Sequence, residues 1–300
     1  MTTIKAFIKS HPMPTYFALT FTISWSGVLL VIGGPSGIPA TPEQADMLFP
    51  VVLLAMLVGP SVAGILLTGL VHGRVGLREL LSRLLRWRVG ARWYAVALLT
   101  IPLLAMATLF ALLPTSPVFL PGIFASDDKA SVLLVGIAVG LVVGILEELG
   151  WTGFAIPELR LHYSVLTTGL IVGVLWGAWH FILAFWSSGS SSGALSLPLF
   201  LPWVLYNVGV LPANRVLMVW VYDRTESLLV AMLMHASLTA SAPMILTPLG
   251  ISGVPLLTWY LVLTAAQWVV VAAVAAANRG RLTRQSLEIG TLAKDARGAN

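Results

Sequence analysis

The sequence predicts an all-α fold, a polytopic membrane protein with about eight transmembrane helices and both termini cytoplasmic. Three observations predict it. The 300-residue chain is 58% hydrophobic and only 10% charged, well outside the composition of soluble domains. Its apolar residues gather into eight stretches of about 20 residues, the length that crosses ~30 Å of hydrocarbon. Its Lys and Arg concentrate in alternate connecting segments, as a multi-pass topology requires. The chain has no cysteine, which removes disulfides, thiolate metal sites and cysteine nucleophiles.

The spans are expected at 14–33, 48–72, 92–114, 131–153, 164–186, 197–221, 227–247 and 255–277. Lys5 and Lys9 precede the first, as in a signal peptide. The stretch is too long for one and lacks a convincing cleavage site, so it reads as a retained helix. After the second span, six arginines from Arg74 to Arg92 alternate with Leu77, Leu80, Leu81, Leu84 and Leu85. That pattern predicts an amphipathic helix on the inner leaflet, serving as a positively charged anchor. The Ser/Gly-rich stretch 187–193 reads as a flexible outer loop. In the sixth span Pro198, Pro202 and Pro212, with Asn207 and Asn214, predict a kink or local unwinding. Residues 1–278 form one transmembrane domain, and 279–300 read as a polar, disordered cytoplasmic tail.

Orientation follows from the basic residues. With both termini inside, the inner segments hold 15 of the 17 Lys and Arg. Lys129 falls outside with Glu43, Asp46, Asp127 and Asp128, and Arg215 lies within a span. The positive charge therefore marks a membrane topology rather than a nucleic-acid partner.

Ionisable side chains inside spans are costly and mark function. Here they are Glu147 and Glu148 in the fourth span, His180 in the fifth, Arg215 in the sixth and His235 in the seventh. Their concentration predicts one polar cavity in the second half of the bundle. At ~1.5 Å rise per residue, Glu147, Glu148, Arg215 and His235 come out roughly 10 Å from the inner membrane face. His180 comes out at roughly 24 Å, a mismatch within this reading. Helical spacing pairs Glu147 with Trp151, Glu148 with Thr152, Trp176 with His180 and His235 with Thr239. A carboxylate that takes a proton from water, beside imidazoles that bind a metal or polarise a carbonyl, is equipment for hydrolysis. His180, His235 and Glu148 could form a zinc site with an open position, leaving Glu147 as base. Two adjacent carboxylates also need a cation close by, and Arg215, at similar depth with no other acid in reach, is the candidate.

At these residues the chain resembles the CPBP family of intramembrane proteases, the CAAX-protease and bacteriocin-processing (Abi-type) family, in its bacterial members. That family's first motif is a Glu pair, three residues, then Arg; here Thr152 stands where Arg is usual. The second is Phe, three residues, then His; here Trp176 takes the aromatic place before His180. The third is His, three residues, then Asn; here Thr239 replaces Asn after His235. Gly59-Pro60 and the stretch 76–90 are also similar, so the resemblance covers about 50–250. It implies an endopeptidase cutting in or next to the membrane, CAAX tails being the substrates of eukaryotic relatives. It implies Glu147 as general base with His180 helping, His235 polarising the carbonyl or binding metal, and Glu148 in support. Both zinc and a metal-free glutamate mechanism fit the resemblance. The expected partners are membrane lipid and a peptide or protein with a membrane-proximal cleavage site. The expected location is a bacterial-type cytoplasmic membrane, with the cavity open toward the cytoplasm. A catalytically weak binding or immunity protein and a proton-coupled transporter are the alternatives.

Overall fold

The computed structural model describes residues 2–278; the tail expected over 279–300 lies outside them. A short helix, α1 (Thr2–Ser10), precedes eight helices long and apolar enough to cross a membrane. They are α2 (Pro12–Val31), α3 (Pro42–Leu84), α4 (Ala91–Leu112), α5 (Lys129–Arg160), α6 (Val165–Trp186), α7 (Leu197–Thr225), α8 (Leu228–Ile245) and α9 (Gly253–Ala277). The starts of α3, α5, α6 and α8 are fixed by side chains that accept the backbone N–H three residues on. Thr41, Asp128, Ser164 and Ser227 act in this way. The hydrogen bond from Ser131 holds the exposed Asp128 carboxyl below its ordinary pKa.

Two of the helices outrun their apolar stretches in a way that shapes the site. In α3 the backbone turns at Gly73 (φ 66, ψ −153), a left-handed conformation that glycine adopts without steric cost, and the helix resumes to Leu84. The basic segment is thus mainly the last part of α3 rather than a separate surface helix. It is also more than an anchor. Arg83 donates to the Tyr222 hydroxyl (2.9 Å) and the Gly153 carbonyl (3.1 Å). Leu80 packs on Leu228 and Met232, and Arg86 pairs with Glu226 at 2.7 Å. Leu80 and Leu84 of the segment thus pack on protein, while Leu77, Leu81 and Leu85 stay exposed. α5 likewise continues past residue 153, through a π-helical turn at Trp151–Ala155, to Arg160.

Two further π-helical turns lie at Tyr206–Val210 in α7 and Ala240–Ile245 in α8. Each accommodates one extra residue without ending the helix. The irregularity expected in the sixth span is therefore a widened turn, not an unwound one. Close packing of these helices depends on two glycine rows. Gly136, Gly140 and Gly144 of α5 lie against α8, and Gly169, Gly173 and Gly177 of α6 against α7. A Cβ on Gly144 would sit 2.6 Å from the Met232 carbonyl oxygen, and one on Gly173 2.7 Å from Pro212 Cα. Small residues at four-residue spacing let membrane helices approach backbone to backbone.

The two ends of the bundle differ. One end is basic and carries the α3 tail, the α5–α6 and α7–α8 turns and Asn278. It is tied by His72–Glu158 (2.7 Å), Arg160–Asp223 (2.5 Å) and Arg224–Asn278 (2.9 Å). The opposite end carries the loops before α3, α5, α7 and α9. There Ala40 N–H donates to Trp186 O (2.8 Å) and Gly122 N–H to Leu246 O (3.2 Å). The stretch 187–193 belongs to this end and is ordered rather than loose. It folds into a small hairpin in which Ser190 N–H donates to Ala194 O and Ser196 N–H to Ser188 O, both at 2.8 Å. The left-handed Gly193 makes the turn and Gly189 lets the hairpin lie on Ala40.

Candidate active site

The longer α5 removes the mismatch in depth. Counted from Arg160, Glu147 lies about 20 Å along its helix, and His180 lies about 22 Å from Val165. His235 is only about 10 Å from Leu228, because the α7–α8 turn is recessed under the α3 tail. Ser227 Oγ donates to the Arg86 carbonyl there, at 2.6 Å.

Glu147 is held by two indoles. Trp151 Nε1 donates to its Oε2 at 3.2 Å from the next turn of α5, and Trp176 Nε1 to the same oxygen at 2.6 Å from α6. The other oxygen, Oε1, lies 4.0 Å from His180 Nε2. His180 Nδ1 is 2.9 Å from the Trp176 carbonyl. A carbonyl only accepts, so Nδ1 carries the proton and Nε2 turns toward Glu147. Trp176, Trp179 and His180 form edge-to-face contacts that hold the imidazole plane.

Glu148 points the other way, into a fully buried polar knot. Arg215 Nη1 donates to Oε1 and Oε2 at 2.9 and 2.8 Å. His235 Nδ1 donates to Oε1 at 2.7 Å, and Thr152 Oγ1 donates to Oε2. The Arg215 guanidinium also lies 4.1 Å from the Trp176 ring, a cation–π contact strengthened by burial. Thr152, at the family's Arg position, thus contributes a hydroxyl, while the positive charge arrives from α7.

A cavity of about 300 Å3 reaches the site. Glu147, Trp176, His180, His235 and Thr239 line it, whereas Glu148, Arg215 and Thr152 lie behind its wall. From the site the lining runs in one direction only. It proceeds through Val143 and Val139 on α5, Leu183 and Ser187 on α6, Trp203 on α7 and Met244 on α8. Each helix leads to the end opposite the basic one. Toward the basic end Trp151, Phe154, Tyr16 and Arg215 are buried and close the path. The two expectations of cytoplasmic termini and a cytoplasmic opening therefore exclude each other, since the mouth and the basic end are at opposite faces.

The expected metal ligands do not fit as arranged. Both oxygens of Glu148 are occupied by donors, so it presents no free face to a cation, and His235 retains Nε2 alone. Among the described residues no group of three or more His, Cys, Asp or Glu is placed to hold a metal.

The sequence did not single out Tyr206 and Asn207, which line the cavity at the π-helical turn of α7. Asn207 was visible there only as part of a kink. Among the described residues its amide makes no hydrogen bond, and neither does the Thr239 hydroxyl; both face the cavity. An Asn inside an apolar, proline-flanked span was the available signal.

The eight-helix bundle thus places a carboxylate–imidazole pair at the foot of a cavity. Residues 129–241 match the family described as type II CAAX prenyl endopeptidase Rce1-like. The matched segment runs from α5 into α8 and contains Glu147, Glu148, His180, Arg215 and His235. Over 176 residues the chain is 24% identical to CAAX prenyl protease 2 of Methanococcus maripaludis, an alignment covering 57% of this chain and 62% of that relative. The chain thus spans less than two thirds of the relative's length.

Proposed function

We propose that this protein is an intramembrane endopeptidase that hydrolyses a peptide bond in or next to the bilayer. The observation that carries the reading is the 4.0 Å gap between Glu147 Oε1 and His180 Nε2 at the foot of the cavity. A water held between these atoms would be polarised from both sides. Glu147 takes its proton, and the water oxygen bonds to the carbonyl carbon of the substrate. The carbonyl oxygen becomes anionic, and the Asn207 amide and the Thr239 hydroxyl are the donors available to it, with the His235 ring beside them. When the C–N bond breaks, Glu147 passes its proton to the leaving amine. Glu148 and Arg215 hold His235 and the Trp176 ring in place. No step is routed through a metal, because the donor set does not offer one a site. The alternatives gain nothing from the geometry, and a transporter would need a path that does not end at Trp151 and Arg215.

The test is cleavage of quenched fluorogenic peptides by purified protein in detergent, one set ending in a prenylated CAAX tail and one in an unmodified apolar sequence. Glu147→Gln keeps the shape and removes the base. The expected outcome is a loss of about 10²–10⁴-fold in turnover with an unchanged thermal melt. Undiminished turnover in Glu147→Gln would assign the base elsewhere.

A further inference from the structure

We infer that the cavity is entered from the extracytoplasmic side, and that the substrate is a membrane-anchored polypeptide whose scissile bond is presented within the outer leaflet. This rests on the endopeptidase reading for the cleavage and on independent observations for the side. Phe49, Val139, Ser187, Trp203 and Met244, from five different helices, line the cavity, and all lie between the Glu147–His180 pair and the end opposite the basic one. On α5, α6, α7 and α8 the lining stops at Glu147, Trp176, Leu211 and His235, and no residue nearer the basic end takes part in it.

Charge supplies the orientation. Apart from Arg215, which is buried in the site, the Lys and Arg among the described residues gather at the basic end, with Lys129 the one exception. Glu43, Asp46, Asp127 and Asp128 flank the other end. Connections rich in Lys and Arg stay in the cytoplasm, which leaves the mouth outside. In this orientation the mouth lies on the face opposite the two termini.

Size and depth define what enters. About 300 Å3 is at the small end of ligand cavities, roughly 300–1,000 Å3, and admits an extended segment rather than a folded domain. His180 lies six residues before the end of α6 and His235 ten before the end of α8, or roughly 9 and 15 Å below the mouth. A bond cut there belongs to a chain already embedded in the outer leaflet, with the apolar mouth against its anchor. A tail on the cytoplasmic leaflet would meet the closed end.

The absence of cysteine allows a direct test in the full-length chain. Ser187→Cys and Met244→Cys place a thiol in the mouth, and Ser82→Cys places one on the exposed α3 tail at the basic end. Each chain is treated with a membrane-impermeant maleimide in intact cells and after permeabilisation. The expected result is labelling of Ser187→Cys and Met244→Cys in intact cells and of Ser82→Cys only after permeabilisation. Prior labelling should then lower peptide turnover of the solubilised mouth variants at least tenfold. Labelling of Ser82→Cys in intact cells would overturn the orientation. Failure of both mouth variants to label under either condition would overturn the opening. The expected labelling of the three cysteine variants, together with a wild type that cleaves no peptide, would sink the endopeptidase reading and leave the side of entry standing.

Discussion

At the residue scale the decisive feature is the division of labour between two adjacent acids. Successive residues on a helix diverge by about 100°, so Glu147 reaches the cavity while Glu148 turns into the bundle. Removing one partner of a buried ion pair strands the other and costs about 3–5 kcal/mol. Arg215→Leu and Glu148→Gln should each destabilise strongly, and the double variant should cost less than their sum by at least about 1 kcal/mol. A double-mutant cycle read by thermal or denaturant unfolding in micelles checks this; strict additivity would count against the pairing. Asn207 calls for a different measurement. Asn207→Leu keeps the volume and removes the donor, so kcat should fall by about 10²–10³-fold with KM nearly unchanged, the mark of an interaction made in the transition state. A change confined to KM would make Asn207 a substrate-binding residue instead. The charged members of the site were legible in the sequence because a charge in an apolar span is so costly that it persists only where chemistry or a buried partner requires it. Asn207 was not, because the nearby prolines already accounted for an irregular helix.

At the element scale, the glycine rows explain how helices of little amphipathic character find their partners. Gly140 of α5 faces Ala236 and Ala240 of α8, the helix that carries His235. Gly140→Leu should push α8 outward, lower the melting temperature and abolish turnover together. Gly69→Leu offers the control, since a Cβ there meets only the end of Leu77 at 3.7 Å; its melt should stay close to wild type. Span number and order could be read from hydropathy, which reports the solvent around a helix. The ends of α3 and α5 could not. Their last turns are polar yet remain helical because they pack on other protein, through Arg83–Tyr222 and Arg160–Asp223, and such tertiary contacts leave no trace in a sliding window.

For the whole molecule, orientation and closure come from different arginines. Arg83, Arg86, Arg160 and Arg224 are engaged in contacts at the basic end. Arg74, Arg78 and Arg88 are exposed and form no ion pair among the described residues. Replacing these three by Gln should leave the melt nearly unchanged yet raise the fraction of molecules inserted with the basic end outward, read by labelling Ser82→Cys in intact cells. An unchanged orientation would place the topological signal in the remaining basic residues. The basic asymmetry was plain in the sequence. Which end the cavity opens toward was not, because depth counted from a span's end is wrong whenever the helix continues past its apolar stretch.

The π-helical turns give one-residue deletions unequal consequences. A π-turn holds one residue more than an α-turn over nearly the same rotation. Losing a residue from Tyr206–Val210 would therefore restore an α-turn and leave Arg215 against Glu148 and Trp203 at the mouth, at the cost of the positions of Tyr206 and Asn207. The same loss from the regular turn between Leu211 and Arg215 would rotate the rest of α7 by about 100° and carry Arg215 away from Glu148. A widened turn is thus the place where α7 tolerates a lost residue, and its regular turns are not. An in-frame deletion scan along α7 would separate the two, since only deletions within the widened turn should leave the melt close to wild type.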